Sequence, residues 1–114
     1  MLTIWHNPRC RKSRETLALL ETSGHDFTIR RYLEDQPTEA ELTGILKQLG
    51  FEDPRLLMRR GEAIYKEQGL KSVTDTAQLV KAMALHSILI ERPIVTNGQE
   101  AVLGRPPEAV KALF

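Results

Sequence analysis

The chain is poor in cysteine, with a single one, Cys10, among 114 residues. Small secreted domains are usually stapled by several disulfides, so this count points to a reducing compartment. It also rules out any disulfide within one chain. Redox chemistry at Cys10 would need its second thiol from another molecule. Aromatic residues are scarce too, only 5% of the chain, which leaves no stacking platform for single-stranded nucleic acid. Charge of either sign is nearly balanced, sixteen Lys and Arg against fifteen Asp and Glu, for a net +1. Nucleic-acid binders usually carry a larger positive surplus. No apolar run approaches the roughly 20 residues that span a bilayer. The start, Met1-Leu2-Thr3-Ile4-Trp5, lacks the basic region and apolar core of a signal peptide. The expectation is a cytoplasmic protein with neither a membrane nor a nucleic-acid partner. The scattered histidines and the lone cysteine do not make a metal-ligand set, so no metal site is expected.

What remains is an ordinary globular composition, 41% hydrophobic and 27% charged. A chain of this length fits one domain, residues 1–114. Leu2 to Trp5 reads as a buried strand. His6-Asn7-Pro8-Arg9 is a loop, because the residue before proline avoids the helical region. A helix follows from Cys10 to about Leu20, with Leu17 and Leu20 on one side, and Ser23-Gly24 ends it. Phe27 to Tyr32 alternates as a second strand. Strand, helix and strand make a βαβ unit with parallel strands.

Thr38-Glu39-Ala40-Glu41 is a capping box ahead of Leu42, Ile45, Leu46 and Leu49 at helical spacing, and Gly50 stops that helix. Asp53-Pro54 opens a shorter helix carrying Leu56, Leu57 and Met58. Thr74 or Asp75 caps another, with Leu79, Val80 and Met83 as its inward stripe. Ile88 to Ile90 returns to sheet. Ile94-Val95-Thr96, Asn97-Gly98 and Ala101-Val102-Leu103 read as a hairpin, and Pro106-Pro107-Glu108 opens a last helix with Val110 and Leu113. The fold class is therefore α/β: a small mixed β-sheet built from β-α-β, then a β-hairpin and C-terminal helix, with a helical insert at about 37–86.

Cys10 stands where the first loop becomes the first helix. A free thiol is only a few per cent thiolate at neutral pH. Lowering its pKa by roughly 2 units costs about 2.7 kcal/mol, and a helix N-terminus supplies only about 0.3–1 kcal/mol. The cations Arg9, Arg11, Lys12 and Arg14 are close enough in sequence to add to it. A lone cysteine is most often a buried structural residue, but these polar, basic neighbours argue against deep burial. The same helix start, with its free N–H groups, suits a tetrahedral oxyanion, and arginine forks match such an anion's oxygens.

His6-Asn7-Pro8-Arg9-Cys10 with Ser13-Arg14 resembles the nucleophile loop of glutaredoxin-linked bacterial arsenate reductases. The likeness continues through Tyr32-Leu33-Glu34, Leu57-Met58-Arg59, Tyr65-Lys66-Glu67, Arg92-Pro93-Ile94-Val95 and Gly104-Arg105-Pro106. The resemblance implies a thioredoxin-like fold and reduction of arsenate to arsenite through a cysteine–arsenic adduct at Cys10. Glutathione and glutaredoxin would serve as co-substrates, with no tightly bound cofactor. It implies that Arg59, Arg92 and Arg105 bind the oxyanion, and that His6 and Ser13 position or activate the thiolate. It also places Pro93 where thioredoxin-like folds carry a cis-proline. One departure is visible: Arg11-Lys12 follows the cysteine where the resembled enzymes usually have Gly-Thr, which points to a paralogous branch. A reductase acting on another thiol or oxyanion is the neighbouring alternative. The other is a binding module like the Spx-type regulators, which share the fold and bind RNA polymerase. Their Cys-x-x-Cys switch is absent, since Ser13 holds its second position.

Overall fold

The apolar opening segment becomes β1, Leu2–Trp5, and the computed structural model, which describes residues 1–114, makes it an inner strand of a four-stranded sheet. Parallel to it runs β2, Phe27–Arg30, with Leu2 opposite Phe27 and Trp5 opposite Arg30. On its other side β3, Ile94–Thr96, pairs antiparallel, Ile4 facing Val95. The outer strand β4, Ala101–Leu103, pairs antiparallel with β3, giving the order β2-β1-β3-β4. The chain divides into two compact units, one of residues 1–35 with 92–114, the other of residues 36–91.

In the first unit, α1 (Arg11–Thr22) connects the parallel strands. Its most buried face is Ser13, Thr16 and Leu20, one side of a 3.6-residue period. Leu17, expected to share that face, is only half-buried and packs at the rim of the apolar cluster formed by Leu2, Ile4, Leu20, Val95 and Val110. Thr16 tolerates burial because its hydroxyl donates to the Lys12 carbonyl at 2.8 Å. Strand β2 stops at Arg30, two residues short of the expected end. The Arg31 carbonyl accepts the N–H groups of Glu34 and Asp35, turning the chain away from the sheet. Arg30 itself lies over the Trp5 ring, 5.0 Å from its centroid, a cation–π contact.

The hairpin behaves as its Asn-Gly pair requires. Gly98 takes a positive φ of 94°, and Asn97 Oδ1 accepts the N–H groups of Gln99 and Glu100 at 2.9 and 2.7 Å. Past β4 the chain forms a 3-10 helix, Pro107–Leu113, rather than an α-helix. This segment lies against α1 and supplies Val110 to the core.

The second unit is helical. Its helix α2, Glu39–Leu49, starts with both halves of the capping box: the Glu41 N–H donates to Thr38 Oγ1, and the Thr38 N–H to Glu41 Oε1, each at 3.1 Å. Gly50 ends it in the left-handed conformation. The Asp53-Pro54 start yields a 3-10 helix, Pro54–Leu57. Two further helices follow, α3 (Ala63–Glu67), not expected from the sequence, and α4 (Thr76–Leu85), capped by Asp75. Helices α2 and α4 pack together, burying Leu42, Ile45 and Leu46 on one and Leu79, Val80 and Met83 on the other. Ile88 to Ile90 does not join the sheet. Ser87–Leu89 coils into a 3-10 turn, and Ile90 makes a single antiparallel bridge to Met58. Two backbone bonds of 2.7 Å secure that bridge, from the Arg59 N–H to the Leu89 carbonyl and from the Glu91 N–H to the Leu57 carbonyl. No helix of the chain is long and apolar enough to cross a membrane.

One glycine in the first unit is fixed by space. A Cβ added to Gly104 would fall 2.5 Å from Thr16 Oγ1 and 2.7 Å from Pro93 Cγ, so β4 closes on α1 only where there is no side chain. Gly104→Ala is expected to cost about 1–3 kcal/mol, as overpacking does. It should lower the urea midpoint relative to the parent; an unchanged midpoint would contradict the packing argument.

Candidate active site

Cys10 is the N-cap residue of α1, with extended backbone angles of φ −94° and ψ 123°. Its own N–H donates to the Asn7 carbonyl at 3.0 Å, and its carbonyl accepts the first helical bond from the Arg14 N–H. The sequence argued against deep burial, yet the residue is only 8% exposed. The reason lies in distant chain segments. Arg9, Arg11 and Lys12 do point outward, but Arg92 and Arg105, brought in before β3 and after β4, cover the sulfur with polar groups.

That cover decides the thiol's state. Burial alone would push its pKa up. The opposing influences win and hold it below the ordinary thiol value: a hydrogen bond from Arg92, the Ser13 N–H, the Arg92 charge, and the Lys12 N–H. The sulfur makes no regular cap hydrogen bond, but these backbone dipoles still favour the anion. Arg105 reaches it as well, with Nη2 3.8 Å from Sγ. The two arginines are linked: Arg105 Nε donates to the Arg92 carbonyl at 2.9 Å, so one guanidinium is aimed by the backbone of the other. Both residues precede cis peptide bonds, to Pro93 and Pro106.

On the opposite side of the loop, His6 Nδ1 lies 2.6 Å from Ser13 Oγ, and that oxygen also accepts the Asn7 N–H at 3.0 Å. Both His6 and Ser13 are buried, at 4% and 0% exposure. Burial, then the nearby charges of Arg31 and Arg14, keep the His6 pKa below its usual value. The lowered pKa favours the neutral imidazole, which shares one proton with the Ser13 hydroxyl across the Nδ1–Oγ bond. The Ser13 side chain is committed to His6 and Asn7, while its backbone N–H serves the sulfur.

The fold thus gathers His6, Ser13, Cys10, Arg92 and Arg105 within the first unit. Arg59 belongs to the second, where its Nε donates to Glu62 at 3.1 Å and its Nη1 to Glu91 at 2.9 Å. Those two carboxylates raise its pKa against the effect of burial. Sequence reasoning missed three contributors: Asn7, which organises the loop; Gly104, which lets Arg105 come close; and Arg31, which helps to keep His6 neutral. For Asn7 the Asn-Pro turn was a signal, and for Gly104 its place at a strand end.

A cysteine at the start of the helix that links two parallel strands, in a sheet of order β2-β1-β3-β4, defines a thioredoxin-like domain with a thiol centre. Within that class the chain belongs to the ArsC family, whose model matches residues 5–113. It is 51% identical over 108 residues to an arsenate reductase of Haemophilus influenzae, covering 94% of this chain and 93% of that one. It is 47% identical over 109 residues to the uncharacterized protein YfgD of Escherichia coli, covering 94% and 91%. Among solved structures it resembles an arsenate reductase from Vibrio cholerae, with a TM-score of 0.94, 48% identity, and coverage of 99% and 97%.

Two measurements follow from these charges. Alkylation of Cys10 by iodoacetamide, followed across pH, should titrate below the value of a small-molecule thiol, and Arg92→Ala should move the midpoint upward. Stability should depend on His6 in a defined window. The folded pKa lies below the unfolded 6.5, so the unfolded chain binds the proton first and stability falls as pH drops below about 6.5. His6→Gln should flatten that limb of the urea-midpoint curve; an unaltered slope would show that His6 is not the group responsible.

Proposed function

We propose that this protein reduces arsenate to arsenite, with Cys10 as nucleophile. The observation that carries the reading is the placement of the Cys10 sulfur at a helix start, with Arg92 and Arg105 brought against it. The arsenate reductases at about 50% identity along nearly the whole chain support the choice of substrate.

In this reading the thiolate attacks arsenic(V) and water leaves, forming a sulfur–arsenic bond. A glutathione thiolate then attacks the Cys10 sulfur. The sulfur–arsenic bond breaks with its electron pair on arsenic, releasing arsenite and leaving a Cys10–glutathione disulfide. Glutaredoxin removes that glutathione and returns the thiolate. Arsenic gains two electrons, two glutathione equivalents become a disulfide, and one water is released. An external thiol is required because Cys10 is the chain's single cysteine.

Arg92 and Arg105 hold the anion and stabilise charge on its oxygens as sulfur attacks. His6 and Ser13 position the loop that presents the sulfur. Arg59 is carried as a third anion ligand by family resemblance; its Nε–H and one Nη1–H go to Glu62 and Glu91, and an anion would take its other N–H groups. The reaction would take place in the cytoplasm, where glutathione and glutaredoxin are reduced.

Arsenate-dependent NADPH consumption, coupled through glutathione reductase and glutaredoxin, tests the reading. Cys10→Ser should abolish it. Arg92→Ala should reduce kcat/KM by roughly 10- to 100-fold, the worth of one charge-assisted hydrogen bond. Turnover by Cys10→Ser at the parental rate would refute the nucleophile, and a parent inert toward arsenate would refute the substrate.

A further inference from the structure

We propose that Asn7 is the positioning residue that makes the Cys10 loop a thiolate-stabilising turn. This rests on Cys10 acting as the nucleophile of the proposed reaction, and adds a residue to the machinery that prepares it. Asn7 is polar yet only 6% exposed, so its hydrogen bonds must be found inside the protein. It spends three groups on the loop itself. Its Oδ1 accepts the Arg9 N–H at 3.0 Å, its carbonyl accepts the Cys10 N–H at 3.0 Å, and its N–H donates to Ser13 Oγ at 3.0 Å.

The pattern accounts for every backbone donor between the strand and the helix. Pro8 has none, and those of Arg9 and Cys10 both end on Asn7. The first donors left unspent are those of the helix start, and two of these, on Lys12 and Ser13, lower the thiol pKa. Two carbonyls of the loop have partners of their own. An unsatisfied carbonyl oxygen beside a sulfur repels the anion, but the Asn7 carbonyl is taken by Cys10 and the Pro8 carbonyl by Arg14 Nη1 at 3.0 Å. Asn7 thus takes up the loop's own N–H groups, and one of them occupies its carbonyl. Its bond to Ser13 also holds the hydroxyl against His6. An alanine keeps the two main-chain bonds but loses the Oδ1 acceptor, and the loop's turn with it. A serine can close a similar turn with a shorter and weaker acceptor.

The test is the pH profile of Cys10 alkylation by iodoacetamide in the full-length protein, for the parent, Asn7→Ala and Asn7→Ser. This readout needs no arsenate turnover. Asn7→Ala should shift the midpoint upward and slow alkylation at pH 7 by about three- to tenfold, and Asn7→Ser should fall between it and the parent. If Asn7→Ala does not fold, Asn7→Ser decides: an upward shift supports the role and a parental profile overturns it. A lowered parental midpoint that Asn7→Ala leaves unchanged overturns this inference alone. So does a serine variant no nearer to the parent than the alanine. A parental midpoint at the ordinary thiol value overturns the thiolate reading and this inference with it.

Discussion

The state of the one thiol depends on a contest at its sulfur. Removing Cys10 from water favours the thiol, and by itself would leave a buried, unreactive side chain. Arg92 and the N–H groups of Ser13 and Lys12 reverse that outcome. These groups come from two distant parts of the first unit, the start of α1 and the approach to β3, so the lowered thiol pKa belongs to the assembled fold and not to the loop. The helix start supplies dipoles, while β3 and β4 bring the guanidinium groups. Gly104 gives up a side chain so that β4 can close against α1 and Pro93. The arrangement is also mutually dependent, because the Arg92 carbonyl aims Arg105.

The same positive groups serve twice in the proposed reaction. Before substrate arrives they are counter-charges to a thiolate; afterwards they face the oxygens of an anion. A guanidinium suits both duties, since it stays charged at any physiological pH and offers donors in several directions. His6 is kept out of this charge balance. Burial, Arg31 and Arg14 hold it neutral, so it acts through a hydrogen bond to Ser13 and adds no cation to the site.

The elements carried by local rules were legible in the sequence. The capping box at Thr38 and Glu41, the Asn97-Gly98 hairpin and the helix stop at Gly50 all depend on residues within a few positions of one another. Where tertiary contacts decided, the reading fell short. Ile88 to Ile90 has strand composition but pairs only once, because its partner segment at Met58 is itself brief. The closing segment has a helix start, yet winds as a 3-10 helix against α1. Basic neighbours suggested an open cysteine; Arg92 and Arg105, more than eighty residues downstream, cover it. The roles of Asn7 and Gly104 rest on a hydrogen bond and on a close approach, neither of which has a pattern beyond an Asn-Pro pair and a glycine at a strand end.

The sheet has a topological cost. Thr3 pairs with Thr96, so its central register closes a very long loop, and such closures are entropically slow to find. Residues 36–91 form one uninterrupted unit rich in helices, inserted in sequence between the two halves of the sheet. A stretch folded as a unit counts for less free chain than its length, which lowers the closure cost between β1 and β3. Arg92 stands at the far end of that closure, directly before β3, so the contact that tunes the sulfur exists only where β1 and β3 are paired.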